Sequence, residues 1–241
     1  MIPKIIWQTY KDPIDNLAPY MHEAMDTWKS LNPDYEHKYM DDIQAAEFVL
    51  EHFGQEWHDI FVNLPVGVMR GDLWRYMIIY IYGGIYTDLD TLCLEPISKW
   101  MKEDADMIVC PETDIHFCQW TFAAAPQHPI IKSVLDHIKE MLKSPNYNMD
   151  HFVHIHTGPE AWTVGIFNAL DVKVNNIIED YLLINECKNA KLYKFHCYGG
   201  EQWRIFHFES VKHIYGSQKW NDGKYVQWIE DDLVKKRKIF T

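Results

Sequence analysis

The stretch from Pro65 to Thr91 constrains this chain more tightly than any other. Residues 66–82, VGVMRGDLWRYMIIYIY, are apolar almost all round, and that pattern predicts a buried helix rather than a surface one. Pro65 suits its first turn and Gly83-Gly84 closes it. The uninterrupted apolar part, Tyr76 to Tyr82, is far too short to span a bilayer. Asp72 and Arg75 break the run at i, i+3 and so share a helical face. Buried charges must be paired or bound to a ligand; an internal ion pair and a pair turned toward a polar ligand fit the spacing equally well. After the glycines, Ile85-Tyr86 run into Thr87-Asp88-Leu89-Asp90-Thr91. On an extended segment Asp88 and Asp90 would lie on one face. Adjacent carboxylates repel unless something positive sits between them, and a hard cation, Mn²⁺ or Mg²⁺, is the natural occupant. An isolated Asp-x-Asp reads first as a solvated acidic turn; the charged, greasy helix upstream favours a cation site that a diphosphate can complete.

Of the 241 residues, 47% are hydrophobic and 15% aromatic, enough for a sizeable core. The net charge of −12 argues against a nucleic-acid partner, which needs a basic face. Five cysteines without a C-x-x-C pair read as reduced thiols. No signal peptide or membrane span is visible, so a cytoplasmic protein is expected. Strands are predicted at 4–8, 35–40, 106–110, 121–125, 193–196 and 211–214. Helices are predicted at 16–30, from Asp41/Asp42 through Phe53, at 66–82, 129–143, 158–170 and 225–238. This alternation implies one α/β domain over 1–241, with a mostly parallel central sheet flanked by helices. Ligands of such sheets gather at the carboxyl ends of the strands, where Asp88 and Asp90 are placed.

The block GDLWRYMIIYIYGGIYTDLDT resembles the central signature of the family 32 glycosyltransferases. That family includes fungal initiating α-1,6-mannosyltransferases and capsular polysaccharide enzymes, and the clostridial glucosylating toxins carry a similar block. The opening Ile2-Pro3-Lys4-Ile5-Ile6-Trp7-Gln8-Thr9 is similar to the family's first strand. His213-Ile-Tyr-Gly-Ser217 with Trp220 resembles, more loosely, its C-terminal element. The resemblance implies a GT-A type nucleotide-diphosphosugar transferase fold and retaining transfer of a hexose. The implied donor is a UDP- or GDP-sugar, and the implied acceptor a glycan, lipid-linked or protein-linked hydroxyl.

The same resemblance assigns roles. Asp90 would ligate Mn²⁺ or Mg²⁺ directly, and Asp88 would touch the metal or the ribose and sugar hydroxyls. His213 and Ser217 would close the metal and phosphate site. Asp72 and Arg75 would hold sugar and ribose hydroxyls. Tyr86, two before Asp88, would contact the nucleotide, as would Gln8 and Thr9 beside it. Trp7 would stack on the base, so that Trp7→Ala would raise the donor KM far more than it lowers stability. Lys219 would pair with a phosphate near Trp220. His156-Thr157-Gly158-Pro159 would line the acceptor side, and Gln119 stands where relatives tend to carry Asn. Glu112, Asp114 and Glu160 are the acidic residues open to a nucleophile's role.

Competing readings are a haloacid-dehalogenase-type phosphatase, with Asp88 as nucleophile, Asp90 as general acid and Asp231/Asp232 downstream, and an inactive sugar-binding module. A zinc site from His151, His154 and His156 ranks below surface histidines around a turn. The basic tail Lys235–Lys238 reads first as a helix end whose cations complement the dipole. Its second reading is a weak contact with an anionic membrane surface.

Overall fold

The computed structural model describes residues 1–173, apart from 102, 103, 111, 113, 114 and 150, together with strands at 195–197 and 211–213. Six strands form the main sheet: β1 (Ile5–Thr9), β2 (Glu36–Met40), β3 (Gly84–Thr87), β5 (Met107–Val109), β6 (Thr121–Ala124) and β7 (Phe195–Cys197). Their spatial order is β2-β1-β3-β6-β5-β7. The pairs β1–β2, β1–β3 and β5–β7 are parallel, whereas β6 runs antiparallel to both its neighbours. Five strands therefore point one way and one opposes them, the mostly parallel sheet expected. From β1 the chain crosses to β2 on one side and later returns as β3 on the other. The carboxyl ends of β1 and β3 thus flank a switch in strand order, where α/β sheets open a crevice.

Period-two alternation sorts the side chains onto two faces. Trp7, Tyr86, Phe122, Ala124 and Met107 join the larger core with residues of α2 (Asp42–Val62), α3 (Gly67–Tyr82), α4 (Pro129–Met141) and α6 (Pro159–Leu170). Ile6, Ile85, Ala123 and Ile108 pack on the opposite face with Trp28 of α1 (Pro19–Leu31). A short β4 (Thr91–Cys93) pairs antiparallel with β8 (Val211–His213). A one-and-a-half-turn helix, α5 (Phe152–His156), precedes α6.

α3 is the predicted buried helix: every residue from Met69 to Ile79 except Gly71 is buried. Gly83 ends it at φ +65°, donating its N–H to Ile79 O at 2.8 Å. Gly84 follows at φ +105°, and a Cβ there would lie 2.7 Å from Ile5 O. That contact is too close for any side chain, so the glycine lets β3 pair tightly with β1. Among the described residues, no helix is long and apolar enough to cross a membrane.

Several expectations shift. The helix expected to stop at Phe53 instead resumes and reaches Val62, because Gly54 takes φ +79° and kinks the chain without ending it. Strand β4 and helix α5 have too few residues for a periodic signal and were not anticipated. The helix expected at 225–238 lies outside the described residues. Trp7, expected to stack on a base, is 2% exposed in the core. Its ring stacks on Tyr82 at 5.6 Å, and its indole N–H donates to Gly83 O at 3.0 Å. Period two explains the placement: Trp7 sits opposite Tyr86 in the register and turns with it toward the helices. Trp7→Ala is therefore expected to lower stability by about 3–5 kcal/mol in chemical denaturation. A loss below about 1 kcal/mol would contradict this core role.

Candidate active site

The site begins where β3 ends. Strand pairing stops at Thr87, and residues 88–91 form a turn in which Thr91 N–H donates to Asp88 O at 3.3 Å. Asp88 and Asp90 are thus the first and third residues of a β-turn, not neighbours along a strand as the spacing suggested. The turn is fixed from several sides. Asp88 N–H donates to Trp120 O at 2.8 Å. Asp88 O also accepts from the Thr91 hydroxyl at 2.6 Å and from Gln8 Nε2 at 3.2 Å. Gln8 Oε1 is held in turn by His37 Nε2 at 2.7 Å. Burial lowers His37 to about 4, so the ring is neutral at physiological pH. With Gln8 Nε2 committed to Asp88, the His37 Nε2–H is the donor of that pair. The hydroxyls of Thr121, Thr87 and Thr91 form a buried chain beneath the turn, at 2.9 and 2.7 Å. Trp28 Nε1 reaches Thr91 O at 3.1 Å from α1.

Above this turn lies the charge network foreshadowed by α3. Arg75 Nη2 is 3.1 Å from Asp72 Oδ1 and 3.3 Å from Asp88 Oδ1. The Tyr86 hydroxyl donates to Asp88 Oδ1 at 2.5 Å, and the guanidinium lies 4.9 Å from the Tyr86 ring centre. Asp72 also accepts from Thr157 Oγ1 at 3.0 Å and from Gln119 Nε2 at 3.3 Å. Gln119 Oε1 accepts from the Tyr76 hydroxyl. The internal ion-pair reading of the Asp72–Arg75 spacing therefore holds, and the pair reaches across to Asp88.

Burial pushes the Asp72 carboxyl up to about 6; Arg75 and the Thr157 hydroxyl pull it down, and Asp88 adds to the rise. Burial outweighs the pull of Arg75, whose guanidinium is shared with Asp88. Tyr86 is also driven well above its ordinary value, by burial first and by Asp88 against the pull of Arg75, so it stays a donor.

The expected residues divide clearly. Asp72, Arg75, Tyr86 and Asp88 come together through direct contacts. Asp90 shares their turn and is half-buried. Gln8 reaches the turn's backbone from below, and Thr9 donates to Met40 O at 2.7 Å on the adjacent strand. The backbone register sets His213 opposite Thr91, one residue after Asp90. Ser217, Lys219 and Trp220 lie outside the described residues, as do Asp114 and Asp231/Asp232. Glu112 is exposed and accepts from Trp120 Nε1 at 3.0 Å.

The histidines of the proposed zinc triplet separate. His156 is buried, its Nδ1 2.7 Å from Phe152 O and its Nε2 accepting from Asn146 N–H at 3.2 Å, whereas His154 lies beside His151 and His116. Thr157, expected to line the acceptor side, is fully buried against Asp72. Sequence reasoning missed Tyr76, Thr87, Thr91 and Tyr10. Tyr10 follows β1 directly and packs, partly exposed, against the small apolar cluster that includes Leu89, the residue between the two aspartates; burial raises its hydroxyl, and Asp12 and Asp90 add to the rise. Its position one residue beyond Thr9, at the strand's carboxyl end, was the available signal.

Among the described residues, no group of three or more His, Cys, Asp or Glu side chains is arranged to hold a metal ion; the carboxylates that could offer ligands are those of Asp88 and Asp90. Carboxylate oxygens are the ligands hard divalent ions prefer. Asp88 retains 23% side-chain exposure and Asp90 is half-buried, so both border the crevice, while Asp72 is enclosed.

A family described as "Glycosyltransferase sugar-binding region containing DXD motif" matches residues 19–106. The initiation-specific alpha-1,6-mannosyltransferase of Schizosaccharomyces pombe is 31% identical over 218 residues, covering 76% of this chain and 54% of that protein. The enzyme of the same name from Candida albicans is 30% identical over 214 residues, covering 73% and 54%. The chain thus spans about half the length of these curated relatives. Among solved structures, the PaToxG glycosyltransferase superposes with a TM-score of 0.52 at 17% identity, covering 80% of this chain and 74% of that one. That likeness and the strand order establish the expected GT-A type fold.

Charging Asp72 in the folded protein opposes its burial. Its folded value of about 6 lies above the ordinary 3.8, so the native state holds this proton more tightly than the unfolded chain. The associated stability is fully present below about pH 4 and is lost as pH rises through about 6. In the metal-free protein this amounts to about 3 kcal/mol. Denaturant titrations from pH 4 to 7 are expected to show the decline, and Asp72→Asn to remove it. An unchanged slope in the variant would refute the assignment.

Proposed function

Because the chain belongs to the family of glycosyltransferases whose sugar-binding region contains a DXD motif, we propose that it transfers a hexose from a UDP- or GDP-sugar to a hydroxyl acceptor on a glycan, lipid or protein. The observation that carries this reading is the Asp72–Arg75–Asp88 network at the switch point of the sheet. Mannose is the first sugar to test, because the relatives are named mannosyltransferases.

Asp88 and Asp90 would hold a divalent ion, Mn²⁺ or Mg²⁺, with the segment around His213 beside them. When bound, that ion would neutralise charge developing on the departing diphosphate. The protein's own groups do the rest. Thr87, Thr91, Gln8 and His37 fix the turn, so the two carboxylates meet the donor without reorganising. Arg75 holds Asp88 by one oxygen and offers a positive charge to the donor. Asp72, already gripped by three donors, is suited to accept from a sugar hydroxyl rather than to attack carbon. Tyr10 is the ring at the end of β1 to which base contact is assigned in place of Trp7. Retention of anomeric configuration is part of the proposal, as is a cytoplasmic setting with weak membrane contact through the C-terminal basic tail.

The test is a hydrolysis and transfer screen over UDP- and GDP-sugars with and without Mn²⁺. Turnover of at least one nucleotide sugar, lost on chelation and restored by the ion, is expected. Asp90→Asn should reduce it by about a hundredfold or more with the melting temperature unchanged. Metal-independent turnover, or phosphoester hydrolysis without any sugar nucleotide, would contradict the proposal.

A further inference from the structure

Asp72 is 1% exposed, and the donor reading above assigns it a hydroxyl of the sugar. Two oxygens offer about four acceptor positions. Oδ1 takes Arg75 Nη2 at 3.1 Å and Gln119 Nε2 at 3.3 Å. Oδ2 takes the Thr157 hydroxyl at 3.0 Å. The third contact comes from far along the chain, and its origin is built to close tolerance. Thr157 is fully buried, its N–H donating to Val153 O at 3.0 Å. The next residue, Gly158, has no room for a Cβ, which would lie 2.7 Å from His154 Cα. α5 is thereby pressed against the turn that carries Thr157. From α6, Trp162 stacks on Tyr76 at 5.1 Å and 7°, and the Tyr76 hydroxyl lies 3.1 Å from Thr157 O. The turn between α5 and α6 is therefore locked to α3 at two points, one of them Asp72.

We propose that Thr157 is a positioning residue for the donor: its hydroxyl sets the plane of the Asp72 carboxylate so that the remaining acceptor position meets one hydroxyl of the transferred hexose. The inference rests on the donor reading given above and adds a residue and a specificity role to it. The terminal torsion of an aspartate is broad. With Arg75 and Gln119 both on Oδ1, that oxygen is a pivot, and among the described residues Thr157 alone holds Oδ2. A fixed acceptor discriminates sharply, because a sugar whose hydroxyl points elsewhere leaves a buried polar group unpaired. Gln119 cooperates: its Oε1 is committed to Tyr76, so its amide N–H₂ must face Asp72.

The experiment uses the full chain with Mn²⁺ and compares wild type, Thr157→Val and Thr157→Ser. Calorimetry measures binding of UDP and GDP, and of UDP-glucose and GDP-mannose. Thr157→Val is expected to bind the nucleoside diphosphate as wild type does and to lose roughly tenfold or more on the nucleotide sugar, the scale of one hydrogen bond to a charged group. The same loss should appear in the donor KM, and Thr157→Ser should restore most of it. Thr157→Ala provides the same reading should the valine variant fail to fold. Equal weakening of diphosphate and nucleotide sugar, or no weakening of either, would overturn the positioning role. A wild-type protein that binds neither diphosphate nor nucleotide sugar would overturn the donor reading and this inference with it.

Discussion

Arg75 is the residue on which the site depends. It lies on a helix that is otherwise almost wholly apolar, and its guanidinium is shared by Asp72 on the same helix and Asp88 beyond the strand that follows. A buried ion pair of this kind is weak evidence for stability, because desolvation offsets most of the attraction. Its value is geometric. It ties the carboxyl end of β3 to the third turn of α3, and the two glycines between them allow the reversal that this contact needs. Asp72, Asp88 and Asp90 set three carboxylates against the one guanidinium of Arg75, an excess of negative charge that favours the added cation proposed above.

The rest of the architecture serves to keep that arrangement still. The Asp88 carbonyl is the point where β1, β3 and β4 meet, through Gln8, the turn itself and Thr91. Below the turn the buried hydroxyls of Thr121, Thr87 and Thr91 are hydrogen-bonded to one another in place of apolar packing. His37 reaches the turn only through Gln8, and its burial keeps it from charging. The network thus runs from β2 through β1 to the turn after β3.

Much of this was legible in the sequence, for identifiable reasons. A helix apolar on all sides, closed by two glycines, has few alternatives, and α3 was read almost to the residue. The i, i+3 spacing of Asp72 and Arg75 placed them on one face whichever role they had. In β1 the resemblance to a family strand drew attention to Trp7, and its inward face follows only from the register that sets it opposite Tyr86. The turn at 88–91 was misread as strand because i, i+2 spacing cannot distinguish an extended pair from the first and third residues of a turn. Thr157 and Gln119 were both singled out by the resemblance, but their contact with Asp72 was hidden for a different reason. They meet Asp72 only after the chain has crossed the sheet, and no local pattern encodes a contact 85 residues away. Gly54 shows the converse case, a stop signal that the packing of α2 against α3 overrides.

The function proposed above requires the Asp88–Asp90 turn, held by Arg75 and the threonine chain, to seat a divalent ion against a nucleotide. Anomalous diffraction from crystals soaked with Mn²⁺ and UDP or GDP tests it most directly. The account predicts a manganese peak within bonding distance of an Asp90 carboxylate oxygen, with the diphosphate on the far side and Arg75 still on Asp88. A nucleotide bound with manganese elsewhere, or with both carboxylates turned away from the ion, would contradict it.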